Sequence, residues 1–365
     1  MKICVIGTRG FPMIQGGIET HCEELYTRIG NKFDCELIIF RRTPYIKDKL
    51  SKYNNIRFID LWVPKSKYFE TFLHSFISTI YSVFLKPDIA HFHNTGPGVF
   101  MPILKLFNIK IIFTYHNISY TQKKWNTLSK HFLNFTEKIS LKWSDSIIFI
   151  STTLRDMMIK RYNIQNYTLI RNGVKKASNT ESTKYIDSLG LKPHKYIIGV
   201  GRFLEEKGFD YLIEAYKMTN LTEYKLVLAG DTDYPTSYSN KLKYLATENN
   251  VLLTGFIKGE NLREIFSHAI LYIMSSFEEG LPIALLEAMS YNLDVLVSDI
   301  PPNLEIGLEE DDYFEVGNST ILAEKIRSRL EKPKIRDFSK KLNDMYNWDS
   351  IAVSTYEFYK KTLNK

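Results

Sequence analysis

The sequence predicts an α/β protein of two doubly wound domains, each a parallel sheet covered by helices on both faces. Three observations carry that expectation. Short β-branched runs alternate with helical segments, and the alternation restarts after one polar stretch. The least ordinary local sequences also sit at the ends of the expected strands, where open α/β sheets bind ligands.

In the first half, KICVIG (2–7), CELIIF (35–40), IRFIDL (56–61), DIAHFH (88–93), IKIIFTY (109–115) and DSIIFIS (145–151) read as strands. Continuous apolar runs suit a sheet buried on both faces. Between them, ETHCEELYTRI (19–29) and LSKHFLNFTEKISLKW (128–143) have helical spacing. The segment FETFLHSFISTIYSVFL (69–85) is apolar for 17 residues but contains Glu70 and His74. A membrane span needs about 20 apolar residues. The segment is read as a buried domain helix, with a helix lying in a bilayer surface as the alternative.

The polar stretch KKASNTESTK (175–184) closes the first series, and KYIIGVG (195–201), YKLVLAG (224–230), NVLLTG (250–255), AILYIMS (269–275) and DVLVSD (294–299) open a second. The expected domains are 1–175 and 176–345, with a closing segment 346–365 that holds the amphipathic stretch NWDSIAVSTYEFYKKTL (347–363).

Composition agrees. The 365 residues are 44% hydrophobic, which supports large cores and excludes a disordered chain. Cys4, Cys22 and Cys35 have neither metal-ligand nor disulfide spacing, and the apolar start is too short for a signal peptide. A reducing, cytoplasmic compartment is expected. Residues 1–175 carry 25 basic and 12 acidic residues, a net of +13, whereas the rest carries 23 and 29, a net of −6. A basic first half suits an anionic membrane or an anionic substrate. Arg41, Arg42, Lys47, Lys49 and Lys52, and the pair Lys123 and Lys124 beside Trp125, are the candidate contacts with an anionic bilayer. No nucleic-acid partner is expected.

Two motifs carry chemistry. In GRFLEEKG (201–208), Arg202 and Lys207 follow a strand and precede a helix, a setting in which two fixed cations can hold a diphosphate. In SSFEEGLPIALLEAMS (275–290), Glu279 and Glu287 are separated by seven residues. Gly280, Leu281 and Pro282 turn the chain into a helix whose first amides, residues 280 to 284, are expected to form an anion site. A carboxylate such as Glu279 accepts from sugar hydroxyls, and Glu287 can accept from a ribose. A nucleotide-sugar needs all of these; two ordinary glutamates are the alternative.

The loop GTRGFPMIQGG (7–17) has four glycines but not the dinucleotide GxGxxG spacing. Gly16 and Gly17 can bring backbone close to a phosphate or sugar, or belong to a plain flexible loop. HFH (91–93) suggests zinc only weakly, because no Cys, His or acid cluster accompanies it in sequence. His93 is expected to reach a ligand cleft and His91 to pack elsewhere. Asp231 and Asp233 form an Asp-x-Asp at a strand end, and with two cations at hand no metal is expected.

Taken together, GRFLEEKG, SSFEEGLPIALLEAM and TGFIKGENLREIFSHA closely resemble the retaining GT-B glycosyltransferases of family 4. IGTRGFPMIQGGIETHCEEL and YHNISYTQKKW resemble the subgroup of bacterial rhamnosyltransferases that build capsule and O-antigen polysaccharides. The resemblance implies two Rossmann-like domains facing across a cleft, the first binding the acceptor and the second the donor. It assigns Arg202 and Lys207 to the leaving diphosphate, Glu279 to the donor sugar and Glu287 to the ribose. Gly16 and Gly17 go to the donor phosphate, His116 to the reacting sugar, and the backbone of Gly255 and Ile257 to the base.

It further implies sugar transfer to a glycan or lipid-linked glycan, without cofactor or metal, at the inner face of the cell membrane. The closing helix is implied to return to the first domain. The subgroup reads H-G-L-D-W where this chain reads His116, Asn117, Ile118, Ser119 and Tyr120, a departure beside the acceptor region. A nucleotide-sugar epimerase of the same architecture and an inactive partner subunit are the rival functions.

Overall fold

The computed structural model describes residues 1–47, 50–66, 69–118, 120 and 126–364. The chain divides into two compact units, Met1–Gly173 with Asn347–Lys365, and Val174–Tyr346.

The first unit holds an eight-stranded sheet of β1 (Lys2–Ile6), β2 (Glu36–Arg42), β3 (Lys52–Tyr53), β4 (Ile56–Leu61), β5 (Ile89–His93), β6 (Lys110–Tyr115), β7 (Ser146–Phe149) and β8 (Tyr167–Leu169). Its order is β3-β4-β2-β1-β5-β6-β7-β8, parallel except for the β3–β4 hairpin. The chain winds outward from β1 to β2 and then returns to place β5 on the other side of β1, so the strand order reverses between β1 and β5. Ligand crevices form at such reversals, at the carboxyl ends of the strands.

The second unit repeats the plan with β9 (Tyr196–Val200), β10 (Lys225–Ala229), β11 (Leu252–Gly255), β12 (Leu271–Met274), β13 (Asp294–Ser298) and β14 (Tyr313–Phe314). Its order is β11-β10-β9-β12-β13-β14, and the reversal falls between β9 and β12. The short strands β3, β8 and β14 are too brief to show in the sequence.

The closing helix Trp348–Leu363 belongs to the first unit. Asn347 caps it, its Oδ1 accepting from the amides of Asp349 (2.8 Å) and Ser350 (3.2 Å). Trp348, Ile351, Phe358 and Tyr359 lie in the same core as Ile3, Tyr26 and Ile29. Burial of a large apolar side chain contributes about 1.5–3 kcal/mol, so these residues hold the helix firmly.

The helix Phe69–Leu85 departs from expectation. The side chains it buries are polar, Glu70, His74, Ser75, Ser78, Thr79 and Ser82. Its aromatic side chains point outward. The hydroxyls are satisfied within the helix, Ser75 donating to Thr71 O (2.6 Å), Ser78 to His74 O (2.7 Å), Thr79 to Ser75 O (2.7 Å) and Ser82 to Ser78 O (2.8 Å). These small side chains let the helix pack against β1 and β4 without an apolar stripe.

Candidate functional site

In the second unit the site is built where β9 and β12 end. After β9 the chain runs through Arg202 into a short turn, Glu205–Lys207, closed by Gly208 at φ +61. A Cβ at Gly208 would stand 2.3 Å from Ser275 O, so only glycine lets the two loops touch. Ser275 Oγ donates to Lys207 O at 2.9 Å and Phe277 N–H to Glu206 O at 2.8 Å, which locks the loop after β12 to the loop after β9. Across that seam Lys207 Nζ donates to Glu279 Oε1 at 2.5 Å, and Ser276 Oγ donates to the same oxygen at 2.7 Å. The pair is one-fifth exposed at Lys207 and one-tenth at Glu279, sheltered but open to a ligand.

Arg202, in the same loop after β9, is 3.7 Å from Asp233, and Asp231 accepts from Lys243 at 2.9 Å. The Asp-x-Asp is therefore engaged with cations.

The helix Ile283–Ser290 starts with Pro282 at its cap. The anion site expected from amides 280 to 284 is narrower than the sequence suggests. Pro282 has no N–H, and Ile283 N–H donates to Leu281 O at 3.0 Å. Gly280, Leu281 and Ala284 are the amides that remain for a ligand. Glu287, on this helix, is half-buried. Tyr272 on β12 escaped the sequence reading. Its hydroxyl is buried with no hydrogen-bond partner, and burial, then the charges of Glu279 and Glu287, push its pKa well up. A tyrosine in a strand core gives no sequence signal of lying near two acids. Gly255 stands at φ +68 at the end of β11, its carbonyl accepting from Gly230 N–H at 2.9 Å, and Ile257 follows, half-buried.

In the first unit the loop after β1 is an ordered ring. Arg9 Nε and Nη2 donate to the two oxygens of Glu19, each at 3.1 Å, and Glu19 Oε1 also accepts from Arg9 N–H. Gly16 lies inside that clasp at φ +142, where a Cβ would meet Glu19 Oε2 at 2.1 Å. Arg9 and Glu19 thus bond across the loop that carries Gly16. Gly17 begins the helix Gly17–Lys32 and is exposed.

His116 follows β6 and is buried in a network that sequence spacing hid. His93 Nδ1 is 2.8 Å from His116 Nε2, and His93 Nε2 is 2.6 Å from the Tyr26 hydroxyl. The same hydroxyl is 2.8 Å from His91 Nδ1, which also meets Tyr359 at 2.7 Å. His91 and His93 thus join one cluster, because residues two apart on a strand share a face. Tyr26 can donate to only one of the two histidines, so its choice sets which nitrogen of His93, and then of His116, carries the proton.

His21 adds a fourth imidazole, its centroid 4.9 Å from that of His116, with Nδ1 2.7 Å from Asn172 Oδ1 and Nε2 unpartnered. Nitrogens of His21, His93 and His116 lie within 4.8 Å of one another, so the HFH segment does have histidine company, drawn from three separate elements. Burial lowers all four pKa values, that of His21 to about 4, so the rings are neutral at pH 7.

The expected membrane cluster is corrected in part. Arg41 is fully buried in a two-pronged pair with Asp60 (2.7 and 2.9 Å), and Arg42 is buried against Glu70 at 2.8 Å. Lys47 and Lys52 are exposed, while Lys49, Ser119, Lys123, Lys124 and Trp125 lie outside the described residues.

Two parallel-sheet domains, each with its loops gathered at a strand reversal, are the architecture of the GT-B glycosyltransferases. Solved structures match over nearly the whole chain. Sucrose-phosphate synthase from Thermosynechococcus elongatus superimposes with a TM-score of 0.83 at 21% identity, covering 99% of this chain and 98% of that one. HepE from Anabaena in complex with UDP-glucose does so with a TM-score of 0.80 at 15% identity, covering 99% and 100%.

Residues 15–177 match the Glycosyltransferase Family 4 model and residues 181–345 match Glycosyl transferases group 1; the chain belongs to these glycosyltransferases. It is 26% identical to the O-antigen chain mannosyltransferase RfbU of Salmonella typhimurium over 176 residues, 48% of each protein. The matched region spans 62, 48 and 65% of the length of three curated relatives, about half to two thirds.

Proposed function

We propose that the protein is a retaining glycosyltransferase of hexosyl or rhamnosyl type. It moves a sugar from a nucleoside-diphosphate donor to a hydroxyl of a growing, lipid-linked bacterial surface polysaccharide. The observation that carries this reading is the Lys207–Glu279 pair across the β9–β12 reversal, with Arg202 in the same loop after β9 as Lys207. Lys207 turns from Glu279 to the leaving diphosphate, and Arg202 joins it. Glu279 then accepts from donor-sugar hydroxyls, Glu287 from the ribose, and the Gly255–Ile257 backbone from the base. Amides of Gly280 and Leu281 add to the diphosphate site. In the first unit, Gly16 and Gly17 are assigned to the donor phosphate and His116 to the reacting sugar.

The sugar–phosphate bond breaks as the acceptor oxygen bonds the anomeric carbon, and an oxygen of the leaving diphosphate takes the acceptor proton. Rate enhancement comes from positioning and from charge stabilisation of the leaving group. The protein acts in the cytoplasm, peripheral to the inner face of the membrane. Support for a nucleotide-sugar donor comes from the fold shared with HepE, solved with UDP-glucose; support for a surface glycan comes from the relative that extends O-antigen.

Turnover of UDP-, dTDP- and GDP-sugars with a lipid-linked acceptor tests the reading, with the anomer of the product read by NMR. Transfer with retention is expected. Conversion of the donor with no acceptor present would indicate an epimerase, and no turnover of any donor an inactive subunit.

A further inference from the structure

The helix Phe69–Leu85 wears its apolar side outward. Phe69 is 53% exposed, Tyr81 47% and Phe84 79%, while its serines and Thr79 are buried. A helix that meets water has the opposite arrangement. The helix Thr127–Trp143 extends the same surface. The Phe132 ring stands 6.4 Å from that of Phe72, and Leu128 beyond it is 79% exposed. Phe100 forms the floor, 4.9 Å from Phe72 and 5.4 Å from Phe76. A contiguous aromatic face of this kind marks an interaction surface.

The charges select the partner. Each of these helices has one acid, and both acids are buried. Glu70 accepts from Arg42 (2.8 Å) and Tyr45 (3.0 Å), and Glu137 accepts from Tyr115 and from Tyr162 (2.8 Å). The exposed charges on the two helices are cationic, Lys138 and Lys142 on the second. Aromatic side chains with lysines and no outward carboxylate match an anionic bilayer, where rings settle at headgroup level and cations meet lipid phosphate. Two copies of this face would oppose like charges.

We propose that the face formed by Phe69–Leu85 and Thr127–Trp143 docks in the headgroup region of an anionic lipid bilayer, lying on it without crossing. No helix among the described residues is long and apolar enough to cross. The proposal rests on the lipid-linked acceptor reading and names the surface that brings the protein to that acceptor.

The test is flotation of the full chain with phosphatidylcholine vesicles, with and without phosphatidylglycerol, at low and high salt. Wild type is expected to float with the anionic vesicles, less so at high salt. The triple variant Phe69→Ser/Phe84→Ser/Leu128→Ser should lose about tenfold or more of the bound fraction, since it removes apolar surface that the bilayer would bury. Lys138→Glu/Lys142→Glu should lose binding to anionic vesicles specifically.

Melting temperature and binding of UDP, GDP and dTDP should stay at wild-type values in all variants. Wild type that does not float, an aromatic variant that floats like wild type, or a dimer that dissociates in the aromatic variant without vesicle binding would each overturn the proposal. Failure of the transferase reading appears separately, as absent sugar turnover in a protein that still floats.

Discussion

Lys207 Nζ and Glu279 Oε1 lie 2.5 Å apart, so the cation proposed for the leaving diphosphate and the carboxylate proposed for the sugar neutralise each other across the β9–β12 reversal. A diphosphate must compete with Glu279 for Lys207. Glu279→Gln should therefore bind nucleoside diphosphate several-fold more tightly while losing sugar transfer. Lys207→Ala and Arg202→Ala should each lower kcat on the order of 100-fold, as removal of one charge stabiliser does. Calorimetry with UDP, GDP and dTDP, alongside initial rates, checks both. Weaker nucleotide binding by Glu279→Gln, or near-normal kcat in the two cation variants, contradicts the assignment.

Activity should survive EDTA. Asp231 is held by Lys243, and Asp233 is near Arg202. The acid cluster Glu309, Asp311 and Asp312 meets Lys334, Arg329 and Arg336. Rates before and after chelation decide this. Loss restored by manganese would move Asp231 and Asp233 into the reaction.

Acid should destabilise the first unit. Its five buried histidines, His21, His74, His91, His93 and His116, titrate below their ordinary range, so the unfolded chain binds protons first as pH falls from about 6.5. Their contribution is complete above that pH and is lost on descent toward the folded value, about 4 for His21. That one residue costs roughly 3 kcal/mol once pH is below both values. Melting temperature recorded from pH 7.5 downward should fall steeply, and His21→Gln should flatten the descent. A flat profile in wild type would remove the neutral-cluster account.

Gly16→Ala should cripple the protein without unfolding it. Its Cβ would strike Glu19 Oε2 and Arg9 Nη2, at 2.1 and 2.6 Å, in a backbone conformation that alanine avoids. The clasp must open, shifting the amides of Gly16 and Gly17. A loss of tenfold or more in kcat/KM for donor is expected from such misplacement, with a melting temperature a few degrees lower. Unchanged kinetics would show that the loop does not serve the donor.

The parallel-sheet plan was legible because buried strands are uniformly apolar and their loops carry glycine, cations and acids at strand ends. The two loops that meet through Lys207 and Glu279 stood out because each is a short contiguous motif at a strand end. What stayed hidden depends on tertiary pairing. His21, His93 and His116 come from three elements, and nothing in their spacing announces a cluster. Arg41 and Arg42 read as surface charge, yet Asp60 and Glu70 let them be buried. In Phe69–Leu85 the apolar content was plain, but its direction was not, since serines that bond their own helix can replace an apolar stripe against a sheet.

Val174 N–H donates to Tyr346 O across 2.8 Å, so the chain enters and leaves the second unit at adjoining points. Topologically that unit is a guest threaded into a host. The host's final strip carries Trp348, whose ring stands 5.5 Å from that of His21, and Tyr359, which bonds His91. Cutting the gene at the apparent boundary would therefore leave an orphan whose histidine cluster lacks its lid. Separating the two requires excising the guest and rejoining Gly173 to Asn347 through a short linker. A protease that trims only the last helix would disable the first unit without touching any residue proposed to meet substrate.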